Sequence, residues 1–418
     1  MYIKAVLFIL LILILPTSKY GQNLNQRKKM FNPNNYAGTD SNCINSAIKD
    51  AAAAGVNSVT ISSRQAPDGR NYWLIDEAIT IPGNMEIIIE DCKIKLSNAC
   101  RDNFFRSANC GIGISEITPL ENIRITGKGN AILEGADFPR SSGDSGKALN
   151  DLTFGTDAGK INENQKGDWR NIGILFAYIK NFEISNLTLR NYHCWGISLE
   201  YCSYGKLNNI KFDTSEYRTF NGKEWRILNQ DGIDLRRGCH HIEIENISGS
   251  TGDDIIALTA LGASRNKIIG VAQGTEITAR AEDMELNHVH DVTIRNISGS
   301  SSHNFIRLLN NFGIKIYNIS IENVANPAMK SPSGNKTSGA TIRIGDANPN
   351  WGGVTPLGDI YNINIKNVES YAPQAIYIAG SLADSSISDV TNFNPDCNAI
   401  EYASGKENIK NVKISNVK

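Results

Sequence analysis

The chain has 418 residues, 42 of them basic and 43 acidic, and its formal net charge is −1. Such a balance excludes the strongly basic surface with which nucleic-acid-binding proteins cover a polyanion, so no nucleic acid partner is expected. The length suits two or three globular domains, or one repeat protein that grows in a single direction.

The first 21 residues are predicted to be a secretory signal peptide. Met1 to Pro16 carries Lys4 near its start and is then a long apolar run, and a polar stretch follows it. The run is too short for a membrane span, so we expect cleavage near Gly21 and no stable span in the mature protein. The mature protein is then secreted or periplasmic, and the alternative is an uncleaved anchor.

Eight cysteines are spread along the chain without the paired Cys-x-x-Cys spacing of zinc sites. Most are expected to be buried apolar fillers, and one or two disulfides among Cys92, Cys100 and Cys110 are allowed in an exported protein. No motif that cradles a nucleotide or a phosphate occurs, so we predict no cofactor and no metal.

A short amphipathic helix is predicted between Asp40 and Gly55. Its apolar residues recur at helical spacing, at Cys43, Ile44, Ala47, Ile48 and Ala51. Immediately afterwards the apolar period changes to two, first at Val59-Thr-Ile61. One helix followed only by short strands predicts a cap over about 36–60, at the open end of an elongated domain that spans 22–418.

From Glu121 onward one pattern recurs, in which alternating apolar residues lead to an asparagine. Copies surround Asn186, Asn246, Asn296, Asn323, Asn367 and Asn416, with a looser copy at Asn209. The shortest spacings, 23 and 27 residues, are typical of a parallel β-helix whose turn asparagines stack and hydrogen-bond along a column.

We therefore predict an all-β fold, a single right-handed parallel β-helix of about ten coils with a short N-terminal capping helix. Two polar excursions, Gly135 to Trp169 and Leu261 to Met284, are predicted loops on one side. A β-sandwich is the alternative, but Asn-Gly and Asp-Gly hairpin turns are nearly absent and no helix-period segment follows Gly55.

Two acidic turns in the middle of the chain share one local pattern. In each, an aspartate, Asp231 or Asp254, precedes a leucine by four residues, and a shift of 23 residues superposes them. If the segments are parallel neighbours, their carboxylates lie about 4.8 Å apart. Carboxylates that close cannot both ionise freely, so one pKa is expected to be raised, as acid–base hydrolysis requires.

The alternation of side chains fixes which outward residues stack once the inward apolar residues are aligned. The predicted outward column is Ser198, Asp234, Ala257, Arg307, Arg343 and Tyr377. The turn before it holds Trp195, Asp231, Asp253, Asp254, His303 and Asn304. Each residue alone has an ordinary turn or surface role, but their coincidence on one strip predicts a groove with central carboxylates and two arginines beyond them.

At these residues the chain resembles the polygalacturonase family, glycoside hydrolase family 28. That family carries Asn-Thr-Asp, Gly-Asp-Asp, Gly-His-Gly and Arg-Ile-Lys motifs on successive coils of a right-handed β-helix. Asn229-Gln230-Asp231 resembles the first motif, and Gly252-Asp253-Asp254 matches the second. Ser302-His303-Asn304 keeps the histidine of the third, and Arg343-Ile344-Gly345 lacks the lysine of the fourth. The resemblance covers most of Leu120 to Gly380.

The resemblance implies a role for each residue. Asp253 would protonate the leaving oxygen, while Asp231 and Asp254 would activate a water on the opposite face, as in inverting glycosidases. A one-residue slip at the turn would exchange Asp253 and Asp254. His303 would help to hold the proton of Asp253. Substrate binding would fall to Asn229, Asp234, Trp195, Arg307, Arg343 and Tyr377, with the arginines paired to a sugar carboxylate.

The function implied is a secreted or periplasmic, monomeric, inverting glycoside hydrolase that cleaves an acidic, pectin-like polysaccharide or oligosaccharide. Galacturonan, rhamnogalacturonan and other uronic-acid glycans all stay open, as do exo and endo action. One alternative is a polysaccharide lyase on the same fold, in which aspartates hold Ca²⁺ and an arginine is the base. Another is a non-catalytic glycan-binding β-helix whose carboxylates bond sugar hydroxyls.

Overall fold

The computed structural model describes residues 31–100, 102–111, 114, 116–138, 168–227, 229–262, 276–327 and 339–418. The predicted signal peptide and most of the two predicted loop excursions lie outside these residues. Within them no helix is both long and apolar enough to cross a membrane.

The described residues form one α-helix, α1 (Asp40–Ala53), and a long series of strands. In chain order the strands are β1 (Ser58–Ile61), β2 (Trp73–Ile75), β3 (Ile79–Ile81), β4 (Met85–Leu96), β5 (Phe105–Ser107), β6 (Leu120–Glu134), β7 (Ile174–Ala177), β8 (Ile179–Arg190), β9 (Ile197–Glu200), β10 (Ser203–Asp213), β11 (Tyr217–Phe220), β12 (Lys223–Arg226), β13 (Ile233–Arg236), β14 (His240–Thr251), β15 (Ile256–Ala260), β16 (Val289–Ser301), β17 (Ile306–Asn310), β18 (Ile316–Asn326), β19 (Ile342–Ile344), β20 (Ile360–Ser370), β21 (Ile376–Ile378), β22 (Leu382–Asn392), β23 (Ile400–Tyr402) and β24 (Ile409–Val417). Short 3₁₀ turns occur at Pro33–Asn35, Asp168–Asn171, Met284–Asn287, Pro349–Trp351 and Lys406–Asn408.

Almost all of these strands belong to two parallel sheets. The larger sheet runs β1-β4-β6-β8-β10-β14-β16-β18-β20-β22-β24, with β2 also paired to β4. The smaller sheet runs β3-β5-β7-β9-β13-β15-β17-β19-β21-β23. The chain therefore alternates between the two sheets as it advances, and the prediction of a right-handed parallel β-helix is confirmed.

Columns of isoleucine fill the space between the sheets and fix the register. Ile233, Ile256, Ile306 and Ile342 are partners from coil to coil in the smaller sheet, and all four are fully buried. Burial of one such side chain contributes roughly 1.5–3 kcal/mol. A slip of one residue would turn the whole column outward, so the register of the neighbouring polar column is strongly specified.

The repeat asparagines stack as predicted. Asn296 donates to Asn246 at 3.1 Å, Asn323 to Asn296 at 3.0 Å, and Asn367 to Asn323 at 2.8 Å. Their φ angles lie between 55° and 59°, in the left-handed region, which asparagine tolerates because its short amide bonds locally. Each asparagine thus bends a long strand and also links it to the next coil.

A second column of left-handed residues lies near the start of the long strands, and the sequence pattern did not single it out. This bend column contains Asn84, Asn122, Asn181, Tyr204, His241, Asp291, Asn318, Asn362, Asp384 and Asn411. Asn318 donates to Asp291 at 2.9 Å, and Asn362 donates to Asn318 at 2.7 Å. Tyr204 and His241 interrupt an otherwise asparagine- and aspartate-built ladder.

Helix α1 covers the first coil, as predicted for a cap. Thr39 caps its start by accepting the backbone N–H of Asn42 at 3.2 Å. The apolar face that the spacing predicted, including Cys43, Ile44 and Ile48, is buried in the same core as the first strands.

The eight cysteines are all free thiols, and all but Cys397 are buried. Disulfides among Cys92, Cys100 and Cys110 are therefore absent from this structure, whereas the expectation of buried fillers is confirmed. Each thiol has its own surroundings: that of Cys100 contacts the Asp102 carbonyl at 3.7 Å, and that of Cys110 contacts the Ser107 hydroxyl at 3.5 Å. Burial raises the pKa of both Cys92 and Cys110 to about 12.

One antiparallel hairpin, β11 paired with β12, stands apart from the parallel sheets. Its turn is Asn221-Gly222, with φ angles of 50° and 72°, the sequence that favours a type I′ hairpin. This hairpin is an exception to the expectation that such turns are nearly absent. The hairpin leaves the coil just before the turn that carries Asp231.

Candidate active site

The smaller sheet stacks the predicted polar column in the predicted register. From coil to coil the column runs through Ser198, Asp234, Ala257, Arg307, Arg343 and Tyr377. The turn just before it is in register too. The Gly196 N–H donates to the Asp231 carbonyl at 2.8 Å, and the Gly232 N–H donates to the Asp254 carbonyl at 2.9 Å. Asp231 and Asp254 therefore occupy equivalent places on neighbouring coils.

Asp254 is a buried carboxylate whose charge is only partly compensated. Its Oδ1 accepts the Asn304 backbone N–H at 2.8 Å and the Asn304 side-chain amide at 3.1 Å, and its Oδ2 lies 4.0 Å from Arg307 Nη1. Burial, and then the neighbouring Asp253 charge, raise the pKa of Asp254 to about 6, although Arg307 and His303 oppose the shift. The sequence predicted one raised carboxyl pKa because of the closeness of Asp231 and Asp254. In the structure, the neighbouring charge that raises the pKa of Asp254 is that of Asp253, in the same turn.

Hydroxyl groups hold the turn of Asp253 to that of His303 on the next coil. The Asp253 carbonyl accepts the Thr251 hydroxyl and, at 2.7 Å, the Ser301 hydroxyl. The Ser301 oxygen in turn accepts the His303 backbone N–H at 2.9 Å. One side-chain N or O atom from each of Asp253, Asp254 and His303 lies within 4.8 Å of the others, close enough for their charges to interact and for the three to hold a metal ion.

Asp346 joins the two arginines of the column, and sequence reasoning missed it. Arg307 and Arg343 both donate to Oδ2 of Asp346, at 2.6 and 3.1 Å. Arg307 lies 5.6 Å from the Trp351 ring centroid, and Arg343 lies 5.3 Å from that of Tyr377. Asp346 is buried whereas the arginines are partly exposed, so two guanidinium groups reach the surface above one carboxylate.

Gly345 stands where the resembling motif has its lysine, and the backbone explains the difference. Its φ is +69°, and a Cβ there would lie 2.5 Å from the Cα of Gly380. A lysine at this position would be strained and would collide with the next coil. Arg307, on the preceding coil, supplies a second cation beside Arg343 instead.

Two residues predicted to contact substrate are covered in the structure. Trp195 belongs to a small apolar cluster outside the smaller sheet, and the Arg236 guanidinium lies 4.4 Å from its ring centroid. Asp234 is also buried, next to the phenol of Tyr192, whose pKa is raised well above its ordinary value by burial and then by Asp231 and Asp234.

Of the remaining predicted residues, Asp231 is buried and the others lie at or near the surface of the column. His303 is exposed, and Asp253, Asn229 and Tyr377 are half-buried. The structure thus brings Asp253, Asp254 and His303 into one group, with Arg307 beside Asp254. Trp195 is covered by residues of the two neighbouring coils, Leu175 and Arg236 among them, and by Ile277 from further along the chain.

Comparison with solved structures supports the fold. An exopolygalacturonase from Thermotoga maritima is 16% identical, with 94% of this chain and 96% of that chain covered and a TM-score of 0.49. A surface adhesin of Streptococcus pneumoniae is 12% identical, with 91% and 89% covered and a TM-score of 0.44. A tailspike protein mutant of E. coli bacteriophage HK620, in complex with pentasaccharide, is 13% identical, with 91% and 62% covered and a TM-score of 0.52. At 13% identity and a TM-score of 0.52, the likeness to the tailspike protein shows the fold alone.

Among curated proteins no significant match to this chain is found. A family model, however, matches residues 120–418, which include every motif of the groove. Its description is Glycosyl hydrolases family 28. On this match, which spans most of the chain, the protein belongs to glycosyl hydrolase family 28.

Proposed function

We propose that the chain is an inverting glycoside hydrolase that cleaves an acidic, pectin-like polysaccharide. Family membership supports hydrolysis of a pectin-like substrate. The observation that carries the finer proposal is the group of Asp253, Asp254 and His303 beside two guanidinium groups in one groove.

The acid in this proposal is Asp253, which lies beside the buried Asp254. Burial and then the Asp253 charge raise the pKa of Asp254 to about 6, so this group of carboxyls keeps a proton close to neutral pH. Asp253 is half-buried whereas Asp254 is buried, so a glycosidic oxygen reaches Asp253 more readily. His303 lies beside both and would help to hold the proton of Asp253.

The base in this proposal is the pair Asp231 and Asp254. Their equivalent places on neighbouring coils set them about 4.8 Å apart, which leaves a water within reach of both. The water oxygen attacks the anomeric carbon as the glycosidic C–O bond breaks, the proton of Asp253 goes to the leaving oxygen, and a water proton goes to the base. Attack from the face opposite the leaving group inverts the anomer.

Arg307 and Arg343 would bind a sugar carboxylate, and Asp346 would position them. Asp346 is shared by the two guanidinium groups, and Arg307 also lies 4.0 Å from Asp254, so Arg343 is the less compensated of the two cations. The arginine side chains keep 13% and 24% of their surface exposed, so their terminal N–H groups can reach a substrate carboxylate. This supports a uronic-acid substrate more than a neutral glycan.

We also propose that the protein is exported and acts as a monomer. The apolar run of Met1 to Pro16 supports export. Cell fractionation with the full chain tests the first point, and sedimentation of the purified protein tests the second.

The test of the reaction is product release from homogalacturonan, rhamnogalacturonan and a neutral glucan. The wild type, D253N and the control D384N, an exposed bend-column position on the larger sheet, should be compared for reducing ends and for the anomer first formed. We expect inverted product from an acidic glycan with wild type and D384N, and a loss of at least about 10²-fold with D253N.

Three other outcomes would contradict the proposal. Unsaturated products that absorb in the ultraviolet would indicate a lyase. A retained anomer would exclude the inverting arrangement. Binding without any product would indicate a glycan-binding module.

A further inference from the structure

A second cluster of chemically active side chains lies on the larger sheet, at the start of β14 and β16. His240 and His290 are partners in register, and their rings stack with centroids 4.9 Å apart and planes within 4°. The residues that follow them, His241 and Asp291, are neighbours in the bend column. Two successive coils thus place three imidazoles and a carboxylate together.

The bend column itself marks these coils as unusual. Most of its members are asparagines or aspartates, which take the left-handed conformation at low cost and bond along the ladder. His241 has φ 54° and belongs to the coil between Tyr204 and Asp291. An imidazole replaces the usual amide here, and such departures at strained positions point to a specific role.

The imidazole nitrogens and carboxylate oxygens of this cluster lie close enough together to bind one metal ion. His290 Nδ1 lies 2.7 Å from Asp291 Oδ2, and His241 Nε2 lies 3.8 Å from the same oxygen. One donor atom from each of His241, His290 and Asp291 falls within 4.8 Å of the others. His240 Nδ1 lies 2.8 Å from His241 Nδ1, so a hydrogen bond there leaves His241 Nε2 to face the carboxylate. Metal-binding histidines are commonly oriented by such a bond on the other ring nitrogen.

The chemistry of this set selects the class of ligand. Two imidazoles and one carboxylate suit zinc and similar first-row ions, whereas Ca²⁺ and Mg²⁺ take oxygen ligands. A sugar ring is a poor alternative, because the faces of His290 and Tyr317 are stacked on each other at 4.8 Å. An open depression beside His241 and Asp291, also lined by Lys206 and Glu243, gives an ion access and leaves room for a water ligand.

We propose that His241, His290 and Asp291 bind one zinc-like divalent ion, with His240 as a positioning residue. The ion joins β14 to β16. These strands follow β13 and β15 in the chain, and so belong to the coils that carry Asp231 and Asp254. The site therefore clamps together the two coils whose alignment sets the distance between those carboxylates. The proposed metal site does not depend on the proposed hydrolysis, so metal binding alone tests it.

The experiment is calorimetric titration of ZnCl₂ into the full chain, freed of metal by chelation and carrying no polyhistidine tag, with thermal unfolding in parallel. The variants are H241N and D291N, which install asparagine, the most frequent residue of the bend column. H303A is the matched control, because Asp253, Asp254 and His303 form the other cluster that could take an ion.

We expect one ion per wild-type chain and a zinc-dependent rise in Tm that chelation reverses. Affinity should fall at least about tenfold in H241N and in D291N, and should persist in H303A. With chelator present, both asparagine variants should unfold like the wild type, which separates ligand loss from misfolding. The proposal is overturned if the wild type binds no zinc, if the asparagine variants bind it equally well, or if H303A alone loses it.

Discussion

The backbone N–H of Asn304 donates to the carboxylate of Asp254 at 2.8 Å, across the step from one coil to the next. A hydrogen bond of this kind favours the charged carboxylate, yet burial and Asp253 outweigh it and raise the pKa of Asp254 to about 6. The fold thus holds a carboxyl group where its charge is disfavoured, as proton transfer near neutral pH requires.

Replacing Asp254 by Asn is expected to stabilise the protein above pH 6 and to matter little near pH 4. The pKa of Asp254 rises from its ordinary 3.8 to about 6 on folding. The stability that its protonated form contributes is therefore present below pH 3.8 and is lost as the pH rises through 6. Asparagine cannot ionise, so we expect a gain of about 1–3 kcal/mol at pH 7.5.

Urea unfolding of the wild type and D254N at about pH 4 and about pH 7.5 measures this difference. D384N, at an exposed position, should show no comparable change between the two pH values. A gain that is the same at both pH values would contradict the assignment of the buried charge.

Replacing Asp346 by Asn should raise KM for an acidic glycan by about tenfold and should change kcat less, since Asp346 orients the arginines and does not touch the reacting bond. The neutral amide would leave Arg307 and Arg343 facing each other on adjacent coils, and their repulsion would spread them. D359N, at a buried carboxyl in the turn before β20, is the control. A fall in kcat with an unchanged KM would contradict the positioning role.

Replacing Gly345 by Ala should destabilise the fold more than replacing Gly313 by Ala. Both glycines are left-handed, with φ +69° and +79°, but a Cβ at Gly313 meets no atom within 4 Å whereas one at Gly345 meets Gly380. The conformational strain alone costs about 1–2 kcal/mol in each variant. Overpacking adds about 1–3 kcal/mol at Gly345 only. Equal unfolding free energies for the two variants in urea would refute the contact with the next coil.

The asparagine ladder should contribute to the free energy of unfolding, and an asparagine within the column should contribute more than one at its end. Asn296 both donates to Asn246 and accepts from Asn323, whereas Asn416 donates to Asp389. Glycine keeps the left-handed bend and removes the amide, so N296G should lose about 1–3 kcal/mol, from two bonds of about 0.5–1.5 each. N416G should lose roughly half as much. Chemical unfolding of both variants checks the ratio, and an equal loss would argue against cooperative stacking.

The fold was predictable because every coil obeys the same local rules. Inward isoleucines and bend asparagines recur, and aligning them is enough to stack Asp234, Arg307 and Arg343 in the observed register. Asp346 escaped notice because its role depends on two arginines from different coils and on the left-handed turn at Gly345. The coil-to-coil neighbours of His241 were missed likewise, since the spacing from His241 to Asp291 includes a long connection.

A linear substrate laid along the polar column would meet one side chain per coil, at steps of about 4.8 Å. Replacing one outward residue there adds or removes a charge at a single coil. The buried isoleucine column is unchanged by such a replacement. Arg307 and Arg343, which are register partners, occupy two such successive positions. In the proposed groove, replacing one outward residue would therefore change the substrate preference at one coil, while the spacing of the carboxylates on the other coils would stay the same.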